Sequence, residues 1–463
     1  MKAILLIDFG STYTKVTAVD LDSETVLGTA SAYTTVQTDI NEGLENAVGI
    51  LEQKIGKISF EKRLACSSAA GGLRMITAGL VPELTAKAAR QASLGAGAKV
   101  VKVYSFELTE DDIEEIETLR PDIFLLCGGT DGGNTACILH NAEMLSKVSA
   151  DFPIIVAGNR TAARECERIL AGKEVILTEN VMPKFGVLNI EPAQQKIREI
   201  FLHRIVEAKG LNKAKGLLDG ILMPTPSAVL KAITLLAEGT KNEHGIGDLI
   251  AIDVGGATTD IYSIASGMPT HSDTVFKGLP EPYAKRTVEG DIGMRYSIGG
   301  ICDAVGMETV ASRSGLSEER CRELVDFLSR NTETLPDGDD EREALDFALA
   351  SSAVETAVTR HAGTMEETYT LMGLTYVQSG KDLTGVSKIV VTGGSLIHTK
   401  RTKEIASHAL YNPATPGSLK PKKAEILVDR SYILSAMGLL SEEEPEIALR
   451  IMKKELENDG YSE

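Results

Sequence analysis

The chain opens on a short apolar run, Ala3 to Ile7, then a polar turn, Asp8-Phe9-Gly10-Ser11-Thr12-Tyr13-Thr14. Lys15-Val16-Thr17-Ala18-Val19-Asp20 follows and alternates in the manner of a hairpin partner. Asp22-Ser23 turns the chain into a third strand, Thr25 to Ala32. From Asn41 to Ile58 the period lengthens: Leu44, Val48, Leu51, Ile55 and Ile58 fall three and four apart, which predicts an amphipathic helix. From about Leu64 to Asn189 apolar runs alternate with helical stretches. The expected strands are Lys99 to Tyr104, Asp122 to Cys127, Pro153 to Ala157 and Glu174 to Leu177, with helices such as Asp111 to Leu119 and Thr161 to Leu170 between them. That alternation implies a parallel α/β layer. A helical region, Ala193 to Lys209, comes next, and strand–turn–strand resumes at Leu249.

The resumption carries the most information. Ile7-Asp8-Phe9-Gly10-Ser11-Thr12-Tyr13-Thr14-Lys15-Val16 can be laid over Ile252-Asp253-Val254-Gly255-Gly256-Ala257-Thr258-Thr259-Asp260-Ile261, and the Ile, the Asp, the Gly and the second Thr coincide. Both segments sit between two predicted strands, so the match reads as an internal repeat. Two such halves facing each other would form a cleft with one Asp-Gly turn on each wall. Gly10, Ser11 and Thr12 offer backbone N–H groups and hydroxyls to a phosphate without side-chain bulk. Asp8 and Asp253 each end a buried strand, and carboxylates beside phosphates are the usual means of holding Mg²⁺. Lys15 adds a point positive charge. The G-x-x-x-x-G-K-[ST] loop is absent, and strand–loop–strand replaces strand–loop–helix. A third segment, Ile389 to Thr392 running into Gly393-Gly394-Ser395, predicts a strand, a glycine step and a helix whose backbone can lie against an adenine or ribose.

Composition narrows the choice. Acidic residues outnumber basic ones 66 to 48, a net charge of −18, which argues against a nucleic-acid-wrapping surface. No apolar run approaches the ~20 residues of a membrane span. Met1 to Asp8 reaches an acid too early for a signal-peptide apolar region, so the expected location is cytoplasmic. Cys66, Cys127, Cys137, Cys166, Cys302 and Cys321 lie scattered without a C-x-x-C pair, as reduced, packed thiols do. The acidic clusters Glu110 to Glu117, Asp337 to Glu343 and Glu442 to Glu446 read as solvated faces or as docking sites for a basic partner.

Two segments look like hinge material. Pro224-Thr225-Pro226-Ser227 opens a helix before the second turn, and Ala436 and Gly438 sit on another helix where small residues permit close crossing. The ordered series Asp8-x-Gly10-Ser11-Thr12-x-Thr14-Lys15, Pro224-Thr225-Pro226-Ser227, Asp253-x-Gly255-Gly256-x-Thr258-Thr259-Asp260, Thr392-Gly393-Gly394 and Ala436-x-Gly438 resembles the motifs of one superfamily. These are the first phosphate, first connecting, second phosphate, adenosine and second connecting motifs of the actin, heat-shock chaperone and sugar kinase ATPases. The first phosphate motif is especially similar to that of the activating ATPases of 2-hydroxyacyl-CoA dehydratases. Ala65 to Leu73, Cys127 to Gly133 and Glu289 to Arg295 extend the resemblance, over nearly the whole chain, to the accessory proteins encoded beside adenosylcobalamin-dependent glutamate (methylaspartate) mutase.

The resemblance implies two ribonuclease-H-like, actin-like halves around a nucleotide cleft, with an α/β block inserted in the first. Residues 1–63 would begin the first half, 64–209 form the inserted block that confers partner specificity, 210–245 complete the first half, and 246–463 form the second. It implies ATP and Mg²⁺ held by Asp8 and Asp253, with Asp8, Lys15 and Asp253 serving hydrolysis. Gly10, Ser11, Thr12, Thr14, Gly255, Gly256, Thr258, Thr259, Asp291, Gly393, Gly394 and Ser395 would line the nucleotide. The implied function is an ATP-dependent reactivating chaperone that opens an adenosylcobalamin-dependent mutase or aminomutase for cofactor exchange, as a homo- or hetero-oligomer. None of the seven histidines lies in a D-x-H-x-x-G, so the cobalamin would belong to the partner. Two alternatives stay open. One is an electron-injecting dehydratase activator, for which Cys127 and Cys166 would be the cysteine pair. The other is a small-molecule kinase using Asp131 of Gly128 to Gly133 as its base.

Overall fold

The computed structural model describes residues 2–10, 12–35, 40–68, 73–202, 220–270, 273–370 and 373–458. Ser11, residues 69–72 and the 209/210 boundary therefore lie outside the described residues, as does the stretch 203–209 of the expected helical region. The chain divides into two compact units, Met1–Leu235 with Ile433–Ile451, and Leu236–Tyr432 with Met452–Glu463.

In the first unit the opening residues form β1 (Ala3–Phe9), β2 (Tyr13–Asp20), β3 (Thr25–Tyr33) and β4 (Lys62–Ser67). β4 runs across the 63/64 boundary drawn from the sequence and pairs with β1, so it belongs to this first sheet. A second sheet follows, built from β5 (Arg74–Gly79), β6 (Lys99–Ser105), β7 (Ile123–Leu126), β8 (Ile154–Val156) and β9 (Val175–Leu177). The chain then returns to the first sheet through β10 (Gly220–Pro224). The first sheet has the order β10-β4-β1-β2-β3. Every residue of β1 is buried, as a strand covered on both faces requires. The helix Ile40–Ile55 covers one face through Leu44, Ala47 and Leu51, which pack with Leu5, Ile7, Phe9, Val16 and Ala18. The helix Leu434–Leu440, from the far end of the chain, packs against β1 and β4.

The inserted sheet is all parallel, in the order β6-β5-β7-β8-β9. Strands alternate with helices Glu110–Leu119, Ala136–Ser146 and Arg160–Ile169, and Phe124, Leu126, Ile138, Phe152, Ile154 and Val156 sit in one core. The expected alternation holds: β7, β8 and β9 are one residue shorter at one or both ends than the apolar runs, and β6 is one residue longer.

The second unit repeats the first sheet's plan. β11 (Leu249–Val254) pairs antiparallel with β12 (Thr259–Ile264) and parallel with a strand far along the chain. β13 (Thr274–Lys277), β14 (Ala284–Glu289), β15 (Thr364–Thr370), β16 (Gly373–Ser379), β17 (Lys388–Thr392), β18 (Glu425–Val428) and β19 (Glu457–Asn458) complete the unit. The main sheet has the order β14-β12-β11-β17-β18-β19, while β13, β16 and β15 form a small separate sheet. In both main sheets a central strand has its hairpin partner on one side and a parallel neighbour on the other. This is the ribonuclease-H-like plan, and the fold is mixed α/β as expected. The helix Asp340–His361 and the helices Ile298–Val305, Met307–Ser314 and Glu318–Arg330 bury the second core. Among the described residues no helix is long and apolar enough to cross a membrane.

Candidate functional site

The two Asp-Gly turns are equivalent residue by residue. β1 and β2 set Asp8 opposite Lys15 and Phe9 opposite Thr14. β11 and β12 set Asp253 opposite Asp260 and Val254 opposite Thr259. The first turn is closed by Gly10 N–H donating to the Tyr13 carbonyl at 3.1 Å, the second by Gly255 N–H donating to the Thr258 carbonyl at 2.9 Å. The register that aligned the two segments by sequence is the register of their ladders.

At the first turn Asp8 is 5% exposed, with Lys15 across one ladder and Cys66 across the other. Residues directly opposite on neighbouring strands project to the same face, so the three side chains share one surface. The Asp8 carboxylate accepts from Thr225 Oγ1 at 2.5 Å through Oδ1 and from Ser435 Oγ at 3.2 Å through Oδ2. The Cys66 thiol lies 3.6 Å from Oδ1. Burial first, and then the Asp8 charge, push that thiol well above its ordinary range, so it stays protonated and donates. Thr225 opens the helix Thr225–Glu238 and Ser435 lies in the helix Leu434–Leu440. These are the two predicted connecting helices, and they cross closely: a Cβ on Gly438 would stand 1.9 Å from the Ala228 carbonyl oxygen. Thr14 points to the opposite face, fully buried, with its hydroxyl 3.1 Å from that of Thr34. Thr12 stays on the turn, where its carbonyl accepts from Thr34 N–H.

At the second turn Asp253 and Asp260 place two carboxylates side by side. Asp260 is neutralised from behind by Arg286 of β14, whose Nε donates to Oδ1 at 2.8 Å, and its Oδ2 accepts from Thr258 at 3.2 Å. Gly393 follows β17 with φ +93°, and a Cβ there would stand 2.8 Å from Asp253 Oδ1. The Val254 backbone stands nearer still, its O 2.5 Å and its N 2.7 Å from that Cβ, so the expected glycine step is a close approach to the end of β11. Gly394 is exposed and Ser395 half-buried in the short helix Gly394–Ile397. Thr259, like Thr14, is fully buried on the far face and donates to the Ile292 carbonyl at 3.0 Å. Gly255 and Gly256 carry the backbone of Met294, Arg295 and Tyr296 on their carbonyls.

Asp291 lies in the turn after β14, and the next helix begins only at Ile298. It is exposed and lies 3.6 Å from Arg360, which also pairs with Glu289. Asp131 is a fastener of its loop: Oδ1 accepts from Arg160 N–H and from Asn180 Nδ2, both at 3.0 Å. Cys127 and Cys166 are fully buried, and burial raises both thiols, Cys166 to about 11. Among the described residues no group of three or more His, Cys, Asp or Glu side chains is arranged to hold a metal.

Sequence reasoning marked Thr225 and Ser435 as parts of hinge helices and missed their grip on Asp8. Arg286 it missed altogether. A hydroxyl on the first residue after a buried strand was a usable signal for Thr225. Arg286 stands two strands away from Asp253, a distance no local spacing encodes.

The model of the family described as "MutL protein" matches residues 4–456 of this chain. Protein MutL of Clostridium tetanomorphum is 50% identical over 466 residues, covering 98% of this chain and 99% of that protein. Among solved structures, the activator of 2-hydroxyisocaproyl-CoA dehydratase from Clostridium difficile with bound ADPNP aligns at 10% identity and a TM-score of 0.35, covering 99% of this chain and 100% of that one. Ligand-bound xylulose kinase from Lactobacillus acidophilus aligns at 11% identity and a TM-score of 0.36, covering 99% of this chain and 93% of that one. With a family model spanning nearly all of its length and a relative half identical to it from end to end, this chain belongs to the MutL protein family.

Proposed function

We propose that this protein is an ATP-using accessory factor that reactivates an adenosylcobalamin-dependent mutase or aminomutase. In this reading the Asp8 turn and the Asp253 turn are phosphate-binding turns, and the inserted block, β5 to β9, meets the partner. The observation that carries the reading is the equivalence of the two turns, each with a carboxylate on a central strand and a glycine two residues on that closes the turn.

Asp8 offers hard carboxylate oxygens on the first turn, and Asp253 and Asp260 offer them on the second, the donor chemistry that Mg²⁺ takes. When bound, the ion would neutralise phosphate charge. Lys15 supplies a fixed positive charge on the Asp8 face, and the Gly10 and Gly255 turns bring backbone within reach of the phosphates. Asp253, facing Asp260, orients the attacking water, and the Arg286 guanidinium holds the Asp260 carboxylate in place beside it. Nucleotide binding favours one partner-binding state and hydrolysis releases it.

The test inactivates candidate cobalamin mutases, then adds this protein, ATP, Mg²⁺ and fresh coenzyme. Regained mutase activity is expected with the native chain and none with Asp8→Ala or Asp253→Ala, both of which should fold. Retained ATP turnover in both variants would refute the site.

A further inference from the structure

Within its first turn the helix Thr225–Glu238 touches three parts of the first unit. Thr225 donates to Asp8 at 2.5 Å, Ser227 Oγ donates to the Ala96 carbonyl at 2.9 Å, and Ala228 receives the backbone of Gly438. Ala96 and Gly97 form the turn between the helix Lys87–Gly95 and β6, inside the inserted block. The joint has no slack. Ser227 is 6% exposed, and Gly97, at φ +88°, would set a Cβ 2.6 Å from Ser227 Oγ and 2.9 Å from Pro224 Cβ. On the other side Ser435 holds the second oxygen of the same Asp8 carboxylate. One carboxylate, two hydroxyls and one helical turn thus join the first phosphate-type turn to the inserted sheet.

We propose that Thr225 and Ser435 are positioning residues for Asp8, and that Ser227 relays a change in Asp8's bonding to the inserted block at Ala96 and Gly97. The inference rests on the reading that the Asp8 turn takes a nucleotide. A carboxylate that gains water or phosphate-linked partners must share or surrender the donors it already has. Thr225 is the shortest of those contacts, so the start of its helix moves with the carboxylate. Ser227 sits two residues on in the same rigid turn, against backbone with no free volume, and close packing transmits such displacements.

Hydrogen exchange of the full chain with and without a magnesium–ATP analogue, with analogue affinity measured by calorimetry, tests the relay. In the native chain the analogue should change exchange at Ala96 to Lys102 by about fivefold or more. Ser227→Ala should abolish that change while affinity stays within about threefold. Thr225→Val should abolish it and lower turnover by about tenfold, the order expected when a hydrogen bond to a charged group is lost, and Thr225→Ser should restore both. Exchange at β2 and β3, in the same unit as the substitutions, reports whether each variant is folded. An unaltered response at Ala96 to Lys102 in Ser227→Ala overturns the relay alone. A native chain with no affinity for the analogue overturns the nucleotide reading and the relay with it.

Discussion

The two main sheets share one plan and differ in what stands around the central aspartate. In the first, Asp8 faces Lys15, and the next strands turn Cys66 and Thr225 toward it. In the second, Asp253 faces Asp260, and the counterparts, Thr392 and Asp429, bond each other at 3.0 Å. Strand order fixes where each carboxylate stands, and the hairpin partner fixes its electrostatic company. A lysine beside the first suits a phosphate. A second carboxylate beside the other suits a cation, and Arg286 makes that crowding tolerable.

The severest break in this comparison is Arg286→Met. Asp260 is 9% exposed, so its charge would be left buried without a counter-ion, and stability should fall by about 3–5 kcal/mol. Urea denaturation measures the loss, and Asp260→Asn in the same chain should recover most of it. Next comes Lys15→Met, which removes the cation that distinguishes the first half. ATP turnover should drop about 10- to 100-fold with the urea midpoint little changed.

A pH series sharpens the second half. His361 is fully buried between Ser263 and Thr287, and Lys381 is 1% exposed with Nζ 2.6 Å from the Tyr283 carbonyl. Burial, and then the Lys285 ammonium, pull Lys381 from its ordinary 10.5 down to about 7, while Glu281 and Asp248 oppose that pull. Burial, with Lys285 and Lys381, also lowers His361 well below its ordinary 6.5. Between about pH 7 and 10.5 the unfolded chain therefore binds a proton at Lys381 that the folded one refuses, and the same holds for His361 below 6.5. Stability should rise with pH across both windows, and Lys381→Met should flatten the upper one. The mildest test is Cys66→Thr, which gives the first half the second half's residue. A hydroxyl would replace a thiol beside Asp8, and stability should move by about 1 kcal/mol at most.

The hairpins were legible because their chemistry is local. Ile7 to Val16 and Ile252 to Ile261 each contain strand, turn and return strand, so aligning the letters aligned the ladders. Gly393 was legible as a glycine step, although its reason, the approach to the backbone at the end of β11, was not. Thr14 and Thr259 illustrate the limit. Both belong to the motif, but the alternation of a strand sends every second side chain to the other face, and there their hydroxyls bond to the core. The 62–67 strand escaped notice because its pairing with β1 bridges more than fifty residues, and Arg286 because it acts across two ladders.

The segment Ile433–Ile451 belongs to the first unit, although nearly two hundred residues of the second are threaded before it. A ribosome has to release the whole of that intervening stretch before Ser435 can meet Asp8 or Gly438 can seat on Ala228. The first sheet therefore waits, incomplete, during synthesis, and removal of Ile433–Ile451 should unsettle this earlier-made sheet before the later-made one.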